Sequence, residues 1–339
     1  MIIGKKSKKV LVAFSGGVDS TVAAYLLKKQ GFSVTGVFLD FFGDKKKQKK
    51  AEEMAKKIDI FLLKISAREE FKTKVIDYFI KELKKGRTPN PCVVCNREIK
   101  FDILFKKLKE EQGDYMATGH YARLLKENNS DNENIILKAK DSGKDQSYFL
   151  WKIKKKVLKH ILFPLGNLTK EKVKKIAKEK NIITEDYKES QEICFANNIN
   201  LFISNLIDKK PGNIVDKNGK ILGRHQGLFY YTVGQRKGIN LSHGPYYVLK
   251  KDLTNNLLIV TNNKNDLLQR ELIYEEPNFF SKIKFPFKGD VKIRYNGLQE
   301  KAVVKKNKVF FEKKVMAVTP GQSVVFYSKE KLIGGGLIK

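Results

Sequence analysis

From residue 10 onward, short apolar runs alternate with longer stretches in which apolar residues recur every three or four positions. The β-rich runs are Val10 to Phe14, Val34 to Leu39 and Ile60 to Ile65; the helical ones are Val18 to Gln30 and Lys47 to Ile58. That βαβαβ order predicts a parallel sheet covered by helices. In the first helix Val22, Ala23, Leu26 and Leu27 share one face, the face expected to pack on the sheet. A long helix is predicted from about Arg68 to Lys85, ended by Gly86 and RTPNP because proline cannot continue it. A further helix, about Arg97 to Glu110, leads to a strand near Tyr115 to Thr118. NNSDNEN reads as an exposed hairpin tip, and helical character returns at Lys170 to Lys180.

After Cys194 the pattern changes to Gly-rich turns, short strands and the aromatic GLFYYTVGQRKG; beyond residue 264, Val291 to Tyr295, Val309 to Glu312 and Val324 to Tyr327 alternate as strands do. The expected fold is therefore α/β. A doubly wound parallel-sheet domain (1–196) is followed by a small mixed middle domain (197–262) and a C-terminal antiparallel β-barrel (263–339). A chain of 339 residues is long enough for two or three such domains.

Charge adds a partner to this picture. The chain carries 68 Lys plus Arg against 37 Asp plus Glu, a formal +31, the footprint of a partner bearing many phosphates. Because 60 of those basic residues are Lys, compositional drift accounts for part of the excess. The eight arginines are more selective: Arg97, Arg123, Arg224, Arg236 and Arg294 lie inside distinctive short motifs, where a planar fork suits phosphate or substrate. No apolar run reaches membrane-spanning length and MIIGKKSKK carries no signal-peptide core, so a cytoplasmic protein without membrane contact is expected.

Candidate chemistry begins between the first strand and first helix, in AFSGGVDS: Ala13, Phe14, Ser15, Gly16, Gly17, Val18, Asp19 and Ser20. A loop of this kind brings backbone N–H groups and the helix dipole to bear on an anion. The glycines permit close approach and the serines add hydroxyls. It is not a Walker A loop, since no Gly-Lys-Ser/Thr ending follows, and no lysine within it reaches for a phosphate. SGGVDS resembles the signature of the PP-loop ATP pyrophosphatases. That resemblance implies ATP and Mg2+, transfer of AMP to a substrate oxygen, and a role for Asp19 in binding magnesium and phosphates.

All three cysteines lie in unusual settings, RTPNPCVVCNREIKFD with Cys92 and Cys95 and ESQEICF with Cys194. A reducing compartment and catalytic or metal-bound thiols are expected, since few cysteines without a leader do not form a disulfide framework. A redox CxxC pair is a weaker reading, and a closed zinc site needs a fourth ligand such as His120.

Seven segments in order, SGGVDS, TPNPxxxCNxxIKF, TGHYAR, KDQSYFL, ESQxICF, GLxxYTxGQRKG and the closing GGG, give a resemblance over essentially the whole chain to the tRNA-specific 2-thiouridylases. It implies ATP-dependent 2-thiolation of the wobble uridine, with tRNAs for Lys, Glu and Gln as substrates. It assigns ATP contacts to Ala13 through Ser20, Leu39 and Gly119, and target-base contacts to Asn90, Pro91 and Cys92. It assigns tRNA contacts to His120, Lys144, Asp145, Gln146, Arg294, Tyr295 and Gln322. Cys194 would carry a persulfide from a sulfur donor (a cysteine desulfurase, a sulfur-relay protein or sulfide), and Cys95 would resolve it through a transient disulfide. Cys92 stands where many members have an Asp. An acid–base role for it and a third ligand position, with Cys95 and Cys194, on a [4Fe-4S] cluster both stay open. Two competitors remain from the residues alone: another PP-loop ligase, and a basic RNA-binding protein with a relic loop.

Overall fold

The computed structural model describes residues 7–126, 134–182, 194–196 and 198–339. The chain divides into two compact units, the first built from 1–75, 92–189 and 330–332, the second from 76–91, 190–329 and 333–339.

In the first unit β1 (Lys9–Ala13) buries Val10, Leu11 and Val12, as a strand covered on both faces must. It is followed by α1 (Val18–Lys29), β2 (Ser33–Asp40), α2 (Lys45–Lys57) and β3 (Phe61–Ser66). The helix predicted over 68–85 is interrupted. α3 (Arg68–Phe71) gives way to a π turn at Lys72–Ile76 before α4 (Asp77–Lys84), which belongs to the second unit. The Thr73 hydroxyl donates to the Glu69 carbonyl at 2.8 Å, competing for an acceptor the helix ladder uses. After α5 (Pro91–Cys95) a second π turn, Asn96–Lys100, runs into α6 (Phe101–Glu110). Then come β4 (Tyr115–Ala117), β5 (Ala122–Lys126), β6 (Asn134–Lys138), β7 (Ile161–Leu162) and α7 (Lys170–Glu179).

The sheet order is β3-β2-β1-β4-β7, parallel throughout. The order reverses between β1 and β4, and in open α/β sheets ligands bind at the carboxyl ends of strands flanking such a reversal. Val22, Ala23 and Leu27 of α1 are buried as the pattern predicts, with Leu26 partly so; Val173 and Ala177 of α7 join the same core. Each buried side chain of valine or leucine size contributes about 1.5–3 kcal/mol. β5 and β6 form the predicted hairpin, extended by Lys331 opposite Leu137. Its tip, 127–133, lies outside the described residues.

In the second unit, Phe79 and Leu83 of α4 pack with Ile203 of α8 (Ile199–Ser204) and Ile207. β8 (Gly212–Val215), β9 (Ile221–His225), β10 (Tyr247–Asp252) and β11 (Leu257–Thr261) form a sheet in the order β10-β11-β8-β9. Tyr231 lies in its core with Ile214 and Leu258. Six further strands, β12 (Leu268–Phe279), β13 (Phe287–Lys292), β14 (Glu300–Val304), β15 (Lys308–Met316), β16 (Ser323–Ser328) and β17 (Lys331–Ile338), follow the order β12-β15-β14-β13-β16-β17. Pairing of β12 with β17 closes them into a barrel around Val304, Val309, Val324 and Phe326. Closure removes the exposed edges that would otherwise template association. No described helix is long and apolar enough to cross a membrane.

His225, fully buried on β9, donates from Nε2 to the Asn256 carbonyl at 3.1 Å, and its Nδ1 has no partner among the described residues. Burial holds its pKa below 6.5, Arg224 adding to the effect and the Asn256 carbonyl opposing it. The unfolded chain therefore takes up this proton more readily than the folded one. The stabilising contribution is complete above about pH 6.5 and declines as pH falls below it, by up to about 1.4 kcal/mol per pH unit. Thermal melts from pH 7.5 to 5 are expected to fall, and His225→Gln to flatten the decline.

Candidate nucleotide and thiol site

The loop between β1 and α1 folds on its own hydroxyls. Ser15 N–H donates to Ser20 Oγ at 3.2 Å, Gly17 N–H to Ser15 Oγ at 3.3 Å, and the Ser20 hydroxyl to the Gly17 carbonyl at 3.0 Å. Gly17 precedes α1 without a side-chain cap, so the first-turn amides keep no intrahelical acceptor. Gly16 has φ +71°, and a Cβ there would lie 2.7 Å from Cα of Ala51 on α2. Gly119, just past β4, would place a Cβ 2.9 Å from the Asp19 carbonyl carbon and 3.0 Å from Ser20 N. The two strand ends at the reversal thus meet at this loop; Leu39 is the last residue but one of β2, whose carboxyl end lies on the same side of the sheet.

Asp19 is already engaged. Lys170 Nζ lies 2.7 and 2.8 Å from its two carboxylate oxygens, and the Tyr121 hydroxyl donates to Oδ1 at 2.9 Å. The loop itself contains no lysine; Lys170 arrives from α7, 151 residues from Asp19.

His120 bonds through Nδ1 to Thr118 Oγ1 at 2.7 Å, and its ring stacks on Phe101 with Phe163 against its edge. The residue is half-buried, and desolvation of the ring holds its pKa well below 6.5, with the Lys100 charge pushing the same way. His120 is a neutral hydrogen-bonding group here, not a phosphate-pairing cation.

Cys92 and Cys95 lie one turn apart on α5, the first half-buried and the second buried. Spacing of three puts them on neighbouring positions of one helix face. Asn96, absent from the sequence reading although it sits inside CNREIKF, is 2% exposed. It donates from Nδ2 to the Phe149 carbonyl at 3.1 Å, and its buried Oδ1 has no partner among the described residues. Cys194 is exposed in the second unit. The preceding ESQEI lies outside the described residues. Among the described residues no three His, Cys, Asp or Glu gather as a metal-holding group.

Several expected RNA contacts have structural duties. Asp145 is buried and accepts from Ala139 N, Ser147 N and Ser147 Oγ at 2.9, 3.2 and 2.8 Å. Gln146 accepts from Tyr121 N at 3.0 Å, whereas Lys144 is half-exposed beside it. Arg123 donates to the Lys138 carbonyl and pairs with Glu330, and Arg97 pairs with Glu98. Arg294 Nη2 donates to the Ala317 carbonyl at 2.5 Å and Thr319 Oγ1 at 3.2 Å. Tyr295, next to it, is half-exposed with Lys292 over its ring, whereas Arg224 and Arg236 are exposed. Arg294→Lys is expected to lower the melting temperature by the loss of about 1–3 kcal/mol, because a single ammonium cannot reproduce the fork and buried carbonyls are left bare.

Gln322 donates from Nε2 to the Thr88 carbonyl at 2.8 Å, and Thr88 N–H donates to the Pro320 carbonyl at 2.8 Å. Arg87 adds a 2.7 Å ion pair to Glu275. The segment carrying Asn90 and Pro91, which opens α5, is thereby tied to the barrel turn before β16.

Three family descriptions match the chain in order: tRNA methyl transferase HUP domain over residues 8–198, tRNA methyl transferase PRC-barrel domain over 200–262, and Aminomethyltransferase beta-barrel domain over 269–338. A protein of Clostridium perfringens named tRNA-specific 2-thiouridylase MnmA is 41% identical, the alignment covering 98% of each chain. One of the same name from Buchnera aphidicola is 42% identical over 99% of this chain and 98% of its own. The chain belongs to the tRNA-specific 2-thiouridylase family. Among solved structures, NMN synthetase from Francisella tularensis is similar over 55% of this thiouridylase-family chain and 67% of its own, at 16% identity and TM-score 0.35.

Proposed function

We propose that the protein thiolates the wobble uridine of tRNA at C2, using ATP to activate the carbonyl oxygen and a cysteine to deliver sulfur. The reading is carried by a serine- and glycine-built anion loop at the β1/β4 reversal of a chain that is 41% identical, along 98% of its length, to tRNA-specific 2-thiouridylases. Uracil O2 attacks the α-phosphorus of ATP and pyrophosphate leaves, its departing charge stabilised by the loop amides; Mg2+ carried by the nucleotide would add to that stabilisation. The terminal sulfur of a Cys194 persulfide then attacks C2 and AMP departs. Cys95 attacks the Cys194 sulfur, breaking the S–S bond; 2-thiouridine is released and a Cys95–Cys194 disulfide forms. An external thiol reduces it before the next cycle.

The exposure of Cys194 suits transfer from a separate sulfur-carrying protein, and Cys92, one turn from Cys95, is placed to handle a proton. A [4Fe-4S] cluster on Cys92, Cys95 and Cys194 is the alternative sulfur carrier. No step is drawn through one. Expected substrates are tRNAs for Lys, Glu and Gln.

The test is to incubate anaerobically purified protein with unmodified tRNA-Lys, ATP, magnesium and a sulfide or persulfide donor, then digest the RNA and measure 2-thiouridine by mass spectrometry. ATP cleavage without thiolation by any donor would sink the reading in favour of another PP-loop substrate.

A further inference from the structure

Asparagine is a costly choice at position 96. It stands where α5 gives way to the π turn Asn96–Lys100, inside a continuous helical run, and asparagine favours caps and turns because its side chain competes for backbone groups. It is 2% exposed, its Nδ2 donates to the Phe149 carbonyl at 3.1 Å, and its Oδ1 is buried with no partner among the described residues. A desolvated acceptor left bare lowers stability, and an apolar side chain would avoid that loss. Packing does not call for the amide either: Val93, Val94, Ile99 and Phe101 on the same run are all buried without its help.

What the amide does is fix the helix end that carries Cys95. The Phe149 carbonyl belongs to a 3-10 turn, Ser147–Phe149, that is itself firmly held. Asp145 accepts from Ser147 N and Oγ, Phe149 N–H donates to the Gln146 carbonyl at 3.0 Å, and Gln146 exchanges two hydrogen bonds with the Tyr121 backbone. The wide turn starts at the same asparagine. Phe101 N–H donates to the Asn96 carbonyl, five residues back, so the π geometry sets in immediately after Cys95. π turns are rare and gather at functional sites. One whose first residue is not held is free to relax into ordinary helix, which turns the preceding residue.

We propose that Asn96 is the positioning residue of the Cys95 thiol: its amide bridge to Phe149 sets where the buried sulfur stands, and so the rate at which Cys95 attacks the Cys194 sulfur. This rests on the thiolation reading above. In that step the Cys95 Sγ–Cys194 Sγ bond forms, the bond from Cys194 Sγ to the transferred sulfur breaks, and the electron pair leaves on the transferred sulfur. The proton shed by the Cys95 thiol is matched by one taken up at N3 of the released 2-thiouridine. Asn96 exchanges no proton. It acts through Cys95, its neighbour in the chain, and a misplacement of about 1 Å at a reacting atom costs about 10²-fold in rate.

The test uses the full chain with Asn96→Ala and Asn96→Asp, measuring first-turnover pyrophosphate release, 2-thiouridine release, and the tRNA adduct on Cys194 in non-reducing gels. Asn96→Ala removes the bridge and the bare acceptor together. It is expected to slow 2-thiouridine release by about 10- to 10²-fold and to accumulate the adduct, while first-turnover pyrophosphate release stays within about threefold. Asn96→Asp is the conservative variant. Burial raises the pKa of such a carboxyl, and only its protonated form donates to the Phe149 carbonyl. Its rate relative to the unchanged protein is therefore expected to recover as pH falls below that pKa and to drop as pH rises through it, a profile that lost packing alone does not give.

Release of 2-thiouridine by Asn96→Ala within about threefold of the unchanged protein would overturn the proposal. So would an equal loss of first-turnover pyrophosphate release, which marks general damage to the fold. If the unchanged protein makes no 2-thiouridine, the thiolation reading fails instead. Iodoacetamide labelling then still decides whether the bridge holds the thiol: Asn96→Ala is expected to label at Cys95 at least about fivefold faster, and an unaltered rate rejects the bridge as its anchor.

Discussion

Cys194→Ser abolishes 2-thiouridine formation, a loss of at least about 10⁴-fold, while tRNA-dependent pyrophosphate release stays within about threefold of the unchanged protein. A serine hydroxyl cannot hold sulfur as a persulfide, so the activated uridine forms and waits for a nucleophile that never arrives. Because Cys194 is exposed, the substitution removes no core packing, and the melting temperature should not move. Cys95→Ser separates the second sulfur step from the first. Cys95 is 4% exposed, so its replacement buries a hydroxyl at a cost of about 1–3 kcal/mol and lowers stability somewhat. Its kinetic signature differs: without a resolving thiol the tRNA remains joined to Cys194 through an S–S bond, a covalent adduct visible in non-reducing gels and released by dithiothreitol. Free 2-thiouridine at an unchanged rate from Cys95→Ser would remove Cys95 from the mechanism.

Gly16→Ala is expected to lower ATP affinity and pyrophosphate release by about 10²-fold or more. The new methyl would lie 2.7 Å from the Ala51 Cα and 2.8 Å from its amide nitrogen, at φ +71°. Backbone on both sides leaves no side chain to rotate away, so either α2 or the loop must shift, and φ above zero adds about 1–2 kcal/mol for a residue with a Cβ. Gly17→Ala is the control. Gly17 has φ −78°, and its Cβ would meet only Ser15 Oγ at 3.3 Å, so ATP affinity should change by less than about fivefold. Isothermal titration with ATP on both variants separates a loop that needs a bare backbone at position 16 from one that only tolerates it.

The parallel sheet and its first helix were legible because burial imposes a period on the sequence. Val10 to Val12 sit between two layers, and Val22, Ala23 and Leu27 repeat at helical spacing. The barrel strands were legible for the same reason, with ends displaced by a few residues: β13 runs Phe287–Lys292 where Val291 to Tyr295 was expected. The π turn at Lys72–Ile76 was not legible, since a single wide turn barely disturbs the apolar spacing on either side. The SGGVDS loop announced itself through glycines whose geometry the fold then demands. Lys170 did not, because it is one lysine among 60 and nothing local distinguishes it; only folding brings it to Asp19. The arginine reading met a different limit. A planar fork suits a backbone carbonyl cluster as well as a phosphate, and Arg123 and Arg294 spend theirs on carbonyls.

The tie between Thr88 and Gln322 spans 234 residues, and the barrel turn that makes it is itself pinned by Ile338, whose N–H donates to the Gln322 carbonyl at 2.8 Å. A contact so distant in sequence must wait for loop closure and cannot form early. On a ribosome adding about 5–20 residues per second, the thiol-bearing helix would be synthesised many seconds before the strand that fixes its entry segment. During that interval the segment leading to Cys92 lacks its hydrogen bonds to the barrel turn. On the function proposed above, the thiol-bearing helix would gain its barrel anchor only once the last strands have been made.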